Sequence, residues 1–438
     1  MKISKPIILC IPTKLKNDLH NYLNENKPKF KYEIIYFYYV IHFLTDRQLR
    51  NKNREFVAID FKKLKDITIS NIDKYVKILK KGEFINTDFY TSQVKAYWYK
   101  INEKYLSDVE TIEIHPNSKL FENIVKYHRR QRTHYNRMPK HLQIMKKYFM
   151  NIDFDFDKAK KWIEKNADKK NKQIYLTSIQ QIQDKRFRYF KRNKTNLRLD
   201  TNLTNLKSEF RQFIKGQFVS IDLKNSQPFF LFQLINSIIN YQPNNNNNNK
   251  GTLCLKNKSL DILQMFGLKS FNDISKVRQN VEKSKNGEFI NFGNSVKFGT
   301  LYDDFIKEFD GKITRKEVKQ IMFKVLFSKN KIYNKYKLFV PYKKEKEIFK
   351  KVYPNIYKIV EILKDKDNAK LPIALQKIES FIFIDCIAKE LVKSGIIPLT
   401  IHDSVIIKKE CQAETIEVLN SVFMDKIGAL PTFKVEAL

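Results

Sequence analysis

The sequence predicts a mixed α/β (α+β) chain of several domains, and four observations carry that expectation. At 438 residues the chain is too long for one ordinary domain; roughly 100–200 residues per domain implies two or three units. An apolar fraction of 42%, with 13% aromatics, can fill a core in each. Glycine and proline number only 10 and 12, well below the usual share, which excludes collagenous or Pro-rich architecture and favours long helices. Stretches of helical period also give way, several times, to short apolar strands.

Near the N-terminus the apolar Ile7-Ile8-Leu9 patch is far shorter than a signal-peptide core, and the Ile34 to Leu44 run is too short to cross a bilayer. Four widely separated cysteines, Cys10, Cys254, Cys386 and Cys411, form no Cys-x-x-Cys pair, so neither a disulfide scaffold nor a zinc ribbon is expected. A soluble, cytoplasmic protein with no membrane partner follows. A helix is expected over Lys31 to Leu44 and another over Asn71 to Lys81, where Ile72, Tyr75, Val76 and Leu79 share a face. Gly82 should close it; Phe84-Ile85 reads as a strand, Asn86 to Val94 as a polar turn, and Tyr97, Tyr99 and Ile101 alternate as a second strand. Over roughly residues 30–107 this order resembles the winged-helix modules of plasmid and phage replication proteins, which implies a module that grips DNA.

Charge points the same way. Lys and Arg number 83 against 47 Asp and Glu, a formal balance of +36 that attracts phosphate polyanions. An AT-rich genome enriches lysine without selection, but it enriches Glu as well and does not explain the shortage of acid. Residues 116–200 hold dense cationic tracts, Arg129-Arg130-Gln131-Arg132 and Lys185 to Arg192, the latter interleaved with Phe187, Tyr189 and Phe190. Cations for phosphate and rings for bases suit a nucleic-acid tracker; a solvated helix face fits any single residue equally well. Asp153, Asp155 and Asp157 imitate a calcium triplet but lack further ligands at loop spacing, so they read as acids at the start of a helix over Ala159 to Ile163. Asn244 to Asn249 reads as a surface insertion without chemistry.

The most informative stretch is Phe218 to Pro228, an apolar strand that ends in Asp222 and passes through a polar turn into a helix from Phe229 to Ile235. A second unit lies downstream: Ile396 to Ile401, then His402-Asp403-Ser404, then Val405-Ile406-Ile407, a β-hairpin with an acid at its tip. Either acid alone reads more readily as a cap than as a metal ligand. Two carboxylates on neighbouring strands could hold two magnesium ions, the arrangement that activates a 3′-hydroxyl and stabilises leaving pyrophosphate.

Together these segments resemble motifs A and C of the palm of family A DNA polymerases and the related single-subunit RNA polymerases. Arg315, Lys319 and Phe327 repeat the spacing of their motif B, with Arg315, Lys319, Met322 and Leu326 on one helix face. Arg198, Thr201, Asn202, Asn205 and Arg211 resemble the template-primer segment that precedes motif A, and Gln376 resembles the glutamine before motif C. The resemblance implies that Asp222 and Asp403 hold Mg2+, with Mn2+ as a substitute. Lys319 and Arg315 would bind triphosphate, Phe327, Gln227 and Ser226 would line the nucleotide, and His402 would contact the primer end.

Three departures bear on the sugar. Gln227 replaces the Glu that excludes a 2′-hydroxyl by bulk in the DNA enzymes, Ser404 matches the RNA enzymes, and Phe327-Ser328 replaces Tyr-Gly; the lost ribose contact and the bulk of Gln227 lean toward deoxynucleotides. Residues 1–107 have no clustered acids for an exonuclease, so no proofreading is expected. The whole reads as a right-hand polymerase of a phage, plasmid or other mobile element. Its expected parts are a winged-helix-like domain at 1–107, a basic thumb at 108–200, palm at 201–235 and 371–438, and fingers at 236–370. Partners would be template-primer nucleic acid, dNTPs or NTPs, the chain acting as a monomer or loosely with other replication proteins. The rivals are an RNA polymerase or primase, a non-catalytic DNA-binding initiator, and untemplated synthesis.

Overall fold

Two sets of apolar stripes build two separate cores. The computed structural model describes residues 6–50, 56–88, 98–106, 109–130, 138–239, 271–284, 287–309, 311–334, 337–365 and 367–438. One unit comprises Met1–Met138, Met150–Phe190 and Thr201–Lys215; the other comprises Pro139–Phe149, Lys191–Asp200 and Gly216–Leu438.

In the first unit β1 (Ile7–Pro12) precedes the helices Thr13–Glu25 and Ile34–Arg50; β2 (Val57–Ala58), the helices Phe61–Ile67 and Ile72–Lys81, β3 (Ile85–Thr87), β4 (Trp98–Ile101) and β5 (Val109–Ile114) follow. The second helix starts three residues later than expected and continues past Leu44. No glycine or proline interrupts Thr45 to Arg50, and the Arg47 guanidinium lies 4.1 Å from the Phe43 ring centroid. Ile72, Tyr75, Val76 and Leu79 are all buried, as their spacing requires. Gly82 ends that helix at φ −81°, where a side chain would collide with the Phe84 ring.

Strands β2, β4 and β3 pair in that order, with Val57 opposite Tyr99 and Ile85 opposite Ile101. Asn86 and Thr87 belong to β3 rather than to a turn, because their backbone pairs with β4; residues 89–97, with Val94 and Tyr97, lie outside the described residues. Strand β1 pairs along its whole length with β5, from Ile7 opposite Ile114 to Pro12 opposite Val109. The expected boundary at 107 therefore cuts a sheet, and Leu120, Phe121 and Ile124 share the core of Leu15 and Phe37.

The Lys185 to Arg192 tract is less free than its composition suggests. Arg188 is 2% exposed and donates to the carbonyls of Ile182, Met150 and Ile152 at 2.6, 3.1 and 2.8 Å, so it fastens chain segments instead of facing solvent. Arg186 pairs with both oxygens of Asp184. Asp155 caps the helix Phe156–Asn166 by accepting from Lys158 N–H at 3.2 Å, as the sequence predicted. Residues 131–137 and 240–270, with Arg132 and the asparagine run, lie outside the described residues.

The second unit holds residues Lys191–Asp200 of a hairpin of β6 (Phe190–Arg192) and β7 (Leu199–Thr201), then β8 (Phe218–Leu223), the small hairpin of β9 (Ile332–Asn334) and β10 (Lys337–Phe339), and β11 (Leu399–Ile401), β12 (Ser404–Lys408) and β13 (Phe433–Ala437). Its main sheet runs β11-β12-β8-β13 with every pairing antiparallel. Strand β8 is central and almost wholly buried, which fits its near-continuous apolar run. Val219, Ile221 and Leu223 belong to one core with Phe229, Phe230 and Leu234 of the helix Ser226–Ile239, Val318 and Met322 of the helix Arg315–Phe327, and Leu375 and Ile378 of the helix Lys370–Ser380. That last helix continues as a π-helical stretch, Phe381–Ile387, into the helix Ala388–Lys393. Among the described residues no helix is long and apolar enough to cross a membrane.

Candidate catalytic site

Strand pairing brings the two singled-out acids together. Ile401 pairs with Ser404, leaving His402 and Asp403 as a two-residue turn, and Ser404 stands opposite Asp222. Leu223 N–H donates to the Asp403 carbonyl at 3.1 Å, so both aspartates sit at one end of β8 and β12. Such a turn requires positive φ, and His402 supplies it at 54°. Ser404 Oγ donates to the Ile401 carbonyl at 3.0 Å, spending its hydroxyl on the turn itself.

Backbone strain gathers here. Five non-glycine residues among those described have left-handed φ, and three of them, Leu197, Asn225 and His402, flank this site. Asn225 follows Asp222 by three residues; its side chain is 6% exposed and neither amide atom has a hydrogen-bond partner.

A further carboxylate lies close enough to Asp403 for its charge to be felt. Glu379, 1% exposed in the helix Lys370–Ser380, accepts from Arg198 Nε at 2.8 Å and Nη2 at 2.9 Å, from Gln227 Nε2 at 2.5 Å and from Ser226 Oγ at 3.3 Å. Burial, and then the charge of Asp403, push its carboxyl up to about 8; Arg198 and Gln227 pull it back. Burial also raises Asp403, opposed by its own backbone N–H, the Ser226 hydroxyl and the charges of Arg198 and Lys319. Glu379 is not among the residues that the sequence motifs single out, although it lies four residues after Leu375 and three before Ile382, on a stripe that is otherwise apolar. A carboxylate at such a position is the signal that identifies it.

The hairpin that carries Arg198 is tied to the same helix elsewhere. Asn196 Nδ2 donates to Gln376 Oε1 at 3.0 Å, Ser380 Oγ donates to the Leu197 carbonyl, and Arg192 pairs with Asp385 at 2.7 Å.

The segment bearing Arg315, Lys319 and Phe327 forms a helix over Arg315–Phe327, opened by a capping box between Thr314 and Glu317. Arg315 and Lys319 are exposed whereas Met322 and Leu326 are buried, so the expected common face passes from solvent into the core. Arg315 pairs with Asp303 and lies 5.2 Å from the Tyr302 ring centroid; burial pushes the Tyr302 hydroxyl up to about 12, with Arg315 opposing. Phe327 is half-buried, 5.3 Å from Phe323. Two buried lysines hold the far end of this helix. Lys364 Nζ donates to the carbonyls of Val325 and Ser328 at 2.5 and 3.1 Å, and Lys346 Nζ to that of Lys329 at 2.5 Å. Burial, and then the charge of Lys346, bring Lys364 down to about 7, against the pull of Glu361.

Four expected nucleic-acid contacts, Thr201, Asn202, Asn205 and Arg211, belong to the other unit. Thr201 makes a capping box with Thr204. Asn202 is 5% exposed; it accepts from Tyr189 N–H at 2.8 Å and donates to the carbonyls of Gln181 and Phe187. Asn205 bonds the Tyr189 hydroxyl, and Arg211 lies in the turn Ser208–Phe213. That unit also holds a cavity of about 990 Å³, lined by Asp46, Asp60 and Asp157 as well as Arg47, Lys63 and Lys215, with none of the singled-out site residues among its lining.

Among the described residues no three His, Cys, Asp or Glu side chains are grouped to hold a metal ion. Asp222 and Asp403 are nevertheless hard oxygen donors of the kind magnesium takes, in its usual ratio of one or two carboxylates completed by water and phosphate. Asp403 is half-buried and its carboxyl is raised by desolvation, a cost that a bound cation would relieve. The donor set fits a divalent ion.

No family model matches the sequence, and no curated protein matches it. Among solved structures, the chain is similar to the POL domain of Pol1 from M. smegmatis, determined in complex with DNA primer-template and dNTP, at 10% identity and a TM-score of 0.28. The match covers 65% of this chain and 55% of that one, so the chain spans little more than half the length of the structure it matches. A likeness this slight assigns neither a fold nor an activity.

Proposed function

We propose that the chain is a template-directed nucleotidyltransferase, a DNA-directed DNA polymerase that extends a 3′-hydroxyl. The observation that carries this reading is that Asp222 on β8 stands opposite Ser404, the neighbour of Asp403 in the β11–β12 turn, so that both acids sit at one end of the sheet, with the charge of Lys319 felt at Asp403. Divalent cations held by Asp222 and Asp403 would supply activation of the 3′-hydroxyl and charge neutralisation at the pyrophosphate. Lys319 and Arg315, one turn apart and exposed, bind the triphosphate, and Lys319 neutralises charge on the leaving group. Phe327, Ser226 and Gln227 line the nucleotide, and His402 meets the primer end.

The first unit grips DNA. Its order of helix, strand, two helices and two strands, closed as β2-β4-β3, supports a winged-helix reading, as does the basic balance of the chain. That unit alone also favours a second reading, a DNA-binding replication initiator without catalysis. Ser404 does not favour an RNA enzyme, since its hydroxyl serves its own turn.

Primer extension on primed DNA, with dNTPs and NTPs offered separately and Mg2+ or Mn2+ present, tests the proposal. Template-dependent addition of dNTPs is expected. Tight, salt-sensitive DNA binding with no incorporation of either nucleotide would leave the initiator reading in its place.

A further inference from the structure

Glu379 has no counterpart among the residues that the sequence singles out, yet three of those residues converge on it. Its two oxygens accept from Arg198, Gln227 and Ser226, joining the hairpin before β8, the helix after β8 and the helix Lys370–Ser380. Gln227 is the important partner. A glutamine side chain has three rotatable bonds and samples several rotamers unless something holds it. A bulky group discriminates by shape only when its position is fixed. Gln227 Oε1 is buried without a hydrogen-bond partner, so the bond from Nε2 to Glu379 is the polar tether of the side chain. Arg198 pairs with both oxygens of that carboxyl and favours its ionised form against the effect of burial, which makes the bond from Gln227 a charge-assisted one. Arg198, paired through two nitrogens, in turn fixes the Glu379 carboxylate plane.

We propose that Glu379 is a positioning residue for sugar selection: it locks Gln227 in the place where its bulk excludes a 2′-hydroxyl. This rests on the nucleotidyltransferase reading and adds to it the residue that makes a glutamine serve where the bulk of a glutamate otherwise does. The charge of Asp403 is felt at the same carboxylate, so the lock lies near the acid-bearing end of the sheet.

The test compares NTP with dNTP incorporation opposite one template base, in single turnovers on saturating primer-template. Gln227→Met keeps the bulk of the side chain but cannot donate to Glu379, and should raise the NTP-to-dNTP ratio about ten-fold, the order expected for losing one hydrogen bond to a charged group. Glu379→Gln retains an acceptor for Gln227 and should keep the ratio within about two-fold of wild type. Glu379→Ala alone would leave the half-buried Arg198 without its carboxylate, so it is made together with Arg198→Ala. The double variant should match Gln227→Met, and combining all three changes should raise the ratio no further. Independently of activity, a double-mutant cycle on thermal unfolding should find Glu379 and Gln227 coupled. If Gln227→Met melts cooperatively and keeps the wild-type ratio, bulk alone suffices and the role of Glu379 is refuted while the polymerase reading stands. If the wild-type chain incorporates neither nucleotide, the polymerase reading falls and takes this inference with it.

Discussion

Two aspartate-bearing regions that look alike on paper differ in every physical respect once folded. Asp155 stands at an exposed helix start, where the Lys158 N–H and then the Lys158 ammonium hold its carboxyl below the ordinary range. Asp403 stands in a strained turn, its carboxyl raised by burial beside another raised acid. The first is stabilised by local groups and contributes to folding. The second is an acid that folding alone leaves undercompensated. Acids of the second kind mark sites that await a positive partner, and the contrast identifies them without any relative to compare.

The largest effect should come from removing charge at the second region. Asp222→Asn and Asp403→Asn should each lower nucleotide incorporation by about three orders of magnitude or more, while Asp155→Asn leaves it unchanged in the same assay. Asp403→Asn should also melt no lower than wild type without metal, because it removes a desolvated charge. A marked loss of stability would show that the aspartate is held for structure, like Asp155, and would erase the distinction.

A cation treated as Asp403 is treated sharpens the comparison. Arg188→Ala removes three bonds to carbonyls in the first unit and should destabilise by about 3 kcal/mol in urea unfolding, without the activity loss of the acid variants. Lys364 titrates instead. Its folded value of about 7 lies below the ordinary 10.5, so the unfolded chain binds the extra proton between those values. Stability should therefore rise as pH increases from about 7 toward 10.5, and the cost of the buried charge should be fully present below about 7. Lys364→Met should flatten that rise; an unchanged urea midpoint profile between pH 7 and 9.5 would mean that the lysine stays charged. The smallest effect belongs to Asp155→Ala, a slight drop in melting temperature from a lost cap.

Much of this was legible in the sequence, for identifiable reasons. Strand β8 and the helix Arg315–Phe327 follow from uninterrupted apolar patterning and from the Thr314–Glu317 capping box, both local signals. The meeting of Asp222 and Asp403 at one end of the sheet follows from two apolar segments that each run into an acid. Local pattern could not show that β1 closes against β5 across a hundred residues, nor that Arg188 turns inward from a tract that reads as solvated. Asn202 and Thr201 carry side chains suited to nucleic acid and spend them on neighbouring backbone. Glu379 depends on partners 152 to 181 positions away, a separation at which spacing carries no information.

The bonds from Gln376, Glu379, Ser380 and Asp385 to the hairpin at 192–198 make that hairpin a bracket rather than a loop. A surface hairpin ordinarily opens on its own and exchanges its amide protons quickly; one riveted at four points along a single helix can open only when the helix does. In deuterium the amides of Asn193 and Leu197, bonded to Arg198 and Asn193 carbonyls, should exchange at the pace of the helix Lys370–Ser380. The segment bearing Arg198 would then fold, and fail, in one cooperative step with the acid beside it.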